Sequence, residues 1–151
     1  MSMYFEDFHE GYRFGTSTRK VTKDEIIAFA KEWDYQSFHL DEELALNSPF
    51  EGLIASGWQT LLIAFALILD TQKISKCSLG SPGLEDVHWF IPVRPNDVLT
   101  CKAVVLTSRL SKKGSKGIVK ILIEIYNQDE WLAADFKAIW MLKVRPNSSC
   151  P

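Results

Sequence analysis

Ala55-Ser56-Gly57-Trp58-Gln59-Thr60-Leu61-Leu62-Ile63-Ala64-Phe65-Ala66-Leu67-Ile68-Leu69 is the stretch that decides the fold. Beyond Thr60 it is apolar without a gap. A surface helix shows polar residues on every turn, so a helix apolar all round must be wrapped by protein or lipid. Spanning a bilayer takes about 20 apolar residues. This run is shorter and begins with Ser56, Gly57, Gln59 and Thr60. It reads as a buried core helix whose polar N-terminus opens onto something. Free backbone N–H groups and the positive end of the helix dipole gather there. Such an end can hold a carbonyl oxygen or an anion.

Outward from this helix, the chain divides into a helical first half and a strand-rich second half. Residues 4–16 are aromatic and Gly-containing and read as an extended arm or short strand. Thr22 and Glu25 fit a capping box. The helix that follows places Ile26, Ile27, Phe29, Ala30 and Trp33 mostly on one face. Helical periodicity stops at Trp33, and residues 35–39 read as irregular. Asp41 can cap a short helix through Ala45. After Asp70 a polar connection over residues 75–83 leads to four strand-like segments: 87–93, 98–110, 118–126 and 131–144. Pro92 marks a bulge or an edge, residues 111–117 a hairpin, and Trp58 reads as core. A long helix wrapped by a curved antiparallel sheet is the expected architecture, an α+β hot-dog arrangement. It forms one domain over residues 1–144, with 145–151 a flexible tail.

Composition narrows the partners. A length of 151 residues supports one real core. A net charge of −2 with mixed signs argues against nucleic acid, which favours a basic face. No stretch reads as a membrane span or a signal peptide. Cys77, Cys101 and Cys150 are odd in number and scattered. They make neither a metal spacing nor a disulfide framework, so a cytoplasmic location is expected.

Among residues able to do chemistry, Asp34 and His39 stand out. Five residues apart, they would point about 140° from each other on one helix. They converge only if the helix breaks between them, and the loss of periodicity after Trp33 supports a break. From spacing alone, a surface Asp and a solvated loop His remain the default reading. His9 has no partner pattern, His88 reads as a packing or solvated residue, and Lys112, Lys113 and Lys116 as a solvated hairpin.

Three blocks shift that balance. Residues 29–41 (FAKEWDYQSFHLD) resemble the hydratase motif F-A-x-x-x-x-D-x-N-P-x-H-x-D of the MaoC-like hot-dog family, the (R)-specific enoyl-CoA hydratases. Residues 50–57 (FEGLIASG) resemble F-G-G-x-I-A-H-G, and residues 87–99 (VHWFIPVRPNDVL) resemble V-R-F-x-x-P-V-x-P-G-D-x-L. The resemblance implies that Asp34 and His39 are the catalytic pair. It places Gly57 where a backbone N–H meets the thioester carbonyl, with Ser56, Trp58 and Phe38 near the substrate. Gln36, Ser37 and Ser56 depart from the family's Asn, Pro and His.

The implied reaction is hydration of a trans-2-enoyl-CoA to an (R)-3-hydroxyacyl-CoA, or the reverse dehydration, within fatty acid metabolism. It needs no metal or organic cofactor; the substrate is an acyl-CoA or acyl-carrier thioester. His39 suits water activation, and Asp34 would hold the same water, or pass a proton to carbon if Phe29, Trp33 and Phe38 form an apolar wall that raises its pKa. The alternative is a non-catalytic or thioesterase-like thioester binder. Thioesterases of this fold carry a carboxylate on the central helix, and residues 58–69 have none. Exposed sheet edges lead to the expectation of a homodimer or a larger homo-oligomer.

Overall fold

A computed structural model of the chain describes residues 2–147. A 3-10 turn (Phe5–Asp7) precedes β1 (Arg13–Lys20), α1 (Lys23–Trp33), one-turn α2 (Ser37–Leu40), α3 (Glu42–Leu46) and α4 (Gly57–Asp70). β2 (Gly83–Trp89), β3 (Val98–Leu110), β4 (Lys116–Tyr126) and β5 (Leu132–Lys143) follow. The five strands form one antiparallel sheet in the order β1-β3-β4-β5-β2. This is the expected α+β hot-dog architecture, with β1 as a fifth strand whose last four residues lie beyond the predicted arm.

Alternation builds the core. Val119, Ile121, Ile123 and Ile125 of β4 and Ala134, Phe136, Ala138, Trp140 and Leu142 of β5 point to one face. They pack with Leu61, Ile63, Ala64, Leu67 and Ile68 of α4 in a single cluster. Ser56 caps α4, its hydroxyl accepting from the Trp58 N–H at 3.3 Å.

The sheet covers only part of α4. Trp58, Leu62, Phe65 and Leu69, spaced along one stripe, remain 63, 56, 43 and 44% exposed. Trp58 is therefore not a core residue. The expectation that the chain itself wraps the helix on every side fails because one sheet reaches only one arc of it. Among the described residues no helix is long and apolar enough to cross a membrane.

Three local expectations are corrected. β2 runs from Gly83 to Trp89, not from 87 to 93. A left-handed Asp86 (φ 49°) and a register shift between Glu85 and His88 break its alternation. The capping box at α1 is half made: Thr22 accepts from the Glu25 N–H at 3.2 Å, but the Glu25 carboxylate turns to Arg19. Arg145, expected to begin a frayed tail, is tied by its backbone N–H to Glu6 and by its guanidinium to Asp7. Residues 148–151 of that tail lie outside the described residues.

Candidate active site

α1 ends where Asp34 occupies its C-cap with φ −151° and ψ 72°, outside the helical region. The chain runs extended through Gln36 and re-enters a helix for one turn, in a segment expected to be irregular. That turn is closed by the His39 N–H donating to the Gln36 carbonyl at 3.0 Å. The break redirects His39 back toward Asp34, and its Nε2 stands 3.2 Å from Asp34 Oδ2. The two candidates that spacing alone left apart are thus brought together.

The histidine is fixed from behind. Its Nδ1 lies 2.7 Å from the Ile54 carbonyl oxygen. A carbonyl only accepts, so Nδ1 carries a hydrogen, and Nε2 is the nitrogen free to exchange a proton with the site. Ile54 is itself held, its N–H donating to the Phe38 carbonyl at 3.1 Å. Phe38 packs edge-on against the imidazole, 4.6 Å between ring centroids.

Asp34 is held at both oxygens. Gln36 Nε2 donates to Oδ1 at 2.8 Å, and Ser56 Oγ donates to Oδ2 at 2.7 Å. Burial works to raise the carboxyl pKa and is the largest single influence. The hydrogen bonds from Gln36 and Ser56, with the charge of His39, outweigh it, and the net shift is downward. Asp34 is therefore an anion at neutral pH. The apolar wall that would have raised its pKa is not assembled: Phe29 and Trp33 line a separate hollow with Trp58 and Leu62.

Both groups open onto a cleft of about 360 Å³. Phe50, Trp89, Phe90 and Ile91 supply its apolar walls, and Gly57, Trp58 and Thr60 bring in the N-terminal turn of α4. Ser56 is fully buried beneath the cleft; its hydroxyl faces the Asp34 carboxylate. Trp89 lies directly on Gly57. Its indole N–H donates to the Gly57 carbonyl at 3.0 Å, and a Cβ on Gly57 would fall 2.6 Å from the ring. Trp89 and residues 90–93 were hidden in a segment expected to be strand. No signal in the sequence marks them as lining. Gln36 was visible only as a departure from a motif.

The other histidines lie elsewhere: His88 Nδ1 is 3.0 Å from Asp135 on the exposed side of β2, and His9 packs on Tyr12. Among the described residues no three His, Cys, Asp or Glu side chains gather to hold a metal ion.

Comparison with known proteins bears on the family and the fold. The family described as MaoC like domain matches residues 8–125. The uncharacterized protein YdeM of Bacillus subtilis is 37% identical over 128 residues, 85% of this chain and 90% of that protein. The crystal structure of a MaoC-like dehydratase from Rhodospirillum rubrum superposes with a TM-score of 0.88 at 34% identity, covering 97% of this chain and 100% of that one. The unliganded R-hydratase PhaJ1 of Pseudomonas aeruginosa shares the fold at 20% identity, with a TM-score of 0.69 over 99% of this chain and 94% of that one.

Proposed function

The chain belongs to the MaoC-like dehydratase family, and on that premise we propose that it is a hydro-lyase adding water to a trans-2-enoyl-CoA to give an (R)-3-hydroxyacyl-CoA, or catalysing the reverse elimination. The observation that carries this reading is the 3.2 Å approach of His39 Nε2 to an anionic Asp34 beside the N-terminus of α4. Water addition to an enoyl thioester needs a base for the water and a donor for the enolate oxygen that develops. A water bound by the two side chains gives one proton to His39 Nε2, while its other hydrogen stays on the oxygen in a hydrogen bond to Asp34. Its oxygen attacks C3, and the double-bond pair moves to C2 and the thioester carbonyl. The Gly57 N–H, at the positive end of α4, stabilises the enolate oxygen. The imidazolium returns its proton to C2, so one water is added and no cofactor is consumed. Phe38 and Trp58 line the cleft, where in this reading the acyl chain lies against them, and Ser56 acts through its hydrogen bond to Asp34. The (R) configuration and the CoA or acyl-carrier thioester are assigned from the motif resemblance.

A thioesterase reading fares worse. Residues 58–69 carry no carboxylate, and Asp70 ends α4 about 20 Å from Gly57 at 1.5 Å per residue. We further propose a homodimer. The uncovered Trp58-Leu62-Phe65-Leu69 stripe and the free edges of β1 and β2 are surfaces that a second copy would bury.

The test is hydration of crotonyl-CoA and longer trans-2-enoyl thioesters by purified protein, with chiral analysis of the product. Turnover to the (R)-alcohol is expected. Hydrolysis to free CoA, or no reaction with any CoA or acyl-carrier thioester, would overturn the assignment.

A further inference from the structure

We propose that Gln36 is a positioning residue of this site, the clamp that fixes the orientation of the Asp34 carboxylate and ties it to the turn carrying His39. The inference rests on the hydro-lyase reading and adds to it a residue at which this chain departs from the family's Asn.

Gln36 touches both halves of the pair. Its backbone carbonyl accepts from the His39 N–H at 3.0 Å, and its side-chain amide donates to Asp34 Oδ1 at 2.8 Å. It stands at the N-cap of α2, yet its side chain makes no capping bond. Among the described contacts that amide has one engagement, Asp34. The carboxylate needs it. Oδ2 receives Ser56 and faces His39, whereas Oδ1 receives Gln36 alone. The terminal torsion of an aspartate is broad and roughly two-fold. Without a partner on Oδ1 the group can rotate and turn Oδ2 away from the imidazole.

The family's Asn is one methylene shorter, about 1.5 Å of reach, and cannot make the same bond from the same backbone position. Gln36-Ser37 replaces the Asn-Pro pair, so the φ restraint of proline is lost before His39. A side-chain bond across the break restores a constraint that this loop's own backbone chemistry lacks. Gln36 is solvent-exposed. A substitution there opens no core cavity, and a folded variant is expected.

The test compares wild type with Gln36→Met, which keeps length and removes the donor, and with Gln36→Asn and Gln36→Glu. Three quantities are read: thermal melting, kcat and KM for an enoyl thioester across pH, and the titration of the Asp34 carboxyl by NMR of carboxyl-labelled protein. With melting preserved, Gln36→Met should lower kcat roughly tenfold, the scale of one hydrogen bond to a charged group. Gln36 also borders the cleft; an amide that serves Asp34 and not the substrate leaves KM within about threefold, and the acid limb of kcat/KM should move to higher pH as the carboxyl loses a bond to its ionised form. Gln36→Glu should move that limb further by setting a second carboxylate against the first, and Gln36→Asn should fail to rescue. Unchanged kcat and an unmoved Asp34 titration in folded Gln36→Met would overturn the proposal, as would full rescue by Asn. If wild type hydrates no enoyl thioester while the Asp34 titration still rises in Gln36→Met, the clamp stands and the hydro-lyase reading falls.

Discussion

Replacing Gly57 with alanine tests the geometry of the α4 N-terminus. The new Cβ would lie 2.6 Å from Cε2 and Nε1 of the Trp89 indole. Ordinary carbon contacts begin near 3.5 Å, so the ring must retreat by about 1 Å. That movement stretches the 3.0 Å bond from the indole N–H to the Gly57 carbonyl beyond hydrogen-bonding range. Losing one such bond costs about 1 kcal/mol net. The ring is 48% exposed and can swing outward, so strain adds little. Replacing a glycine whose backbone conformation alanine also adopts returns about 0.4–1 kcal/mol through the unfolded chain. Stability should therefore stay within about 1 kcal/mol of wild type, while the wall of the cleft is displaced. Turnover can then fall for two reasons: the methyl blocks the thioester carbonyl from the Gly57 N–H, or Trp89 has moved. The assay is a double-mutant cycle of Gly57→Ala and Trp89→Ala, read by melting temperature and by crotonyl-CoA hydration per folded molecule. If the carbonyl approaches Gly57, the alanine costs tenfold or more even in the Trp89→Ala background, a part of the ~3–4 kcal/mol that one oxyanion donor supplies. If only Trp89 matters, the alanine is silent there. Unchanged indole emission and unchanged turnover in Gly57→Ala alone would refute both the contact and the carbonyl role.

Asp34→Asn and His39→Ala should each lower turnover by at least about 100-fold, the low end for acid–base groups; near-normal rates in folded protein would remove the pair from the mechanism. Ser56→Ala takes one hydrogen bond from the Asp34 carboxylate. Because the folded-state pKa of Asp34 is depressed, its stabilisation is present above the ordinary carboxylate pKa and lost as pH falls through the lowered one. Ser56→Ala should raise that pKa, move the acid limb of kcat/KM upward, and weaken α4 by ~1 kcal/mol through the lost cap; pH-resolved melts and rates check both. Leu62→Lys places a charge in the uncovered α4 stripe and should shift the species in sedimentation equilibrium from a dimer toward 17.2 kDa. A wild-type monomer at micromolar concentration would remove the stripe as a dimer interface.

What the sequence disclosed follows the range of the forces involved. β3 spans Val98–Leu110 as expected, and β4 and β5 nearly so, because half-buried antiparallel strands write their period into every second residue. β2 was misplaced because Asp86 in the left-handed region removes that period just where the strand turns toward the cleft. The polar start of α4 was legible, whereas its Ser56 cap and the exposure of Trp58 were not. Hydrophobicity reports that a side chain will be covered, and only the sheet's reach decides by what. At the site the same division holds. Asp34 and His39 were legible as a pair through the motif resemblance; the end of the helix between them only allowed it. The contacts that orient them come from residues 36, 54 and 56 through a glutamine amide, a backbone carbonyl and a serine hydroxyl. None of the three is a titratable group, and a carbonyl has no letter of its own. The proposed catalytic chemistry is therefore written in residue types, whereas its aim is written in the path of the chain. The Asn-to-Gln and Pro-to-Ser departures thus bear on how the proposed pair is aimed, through the Gln36 amide on Asp34, and leave its two titratable groups in place.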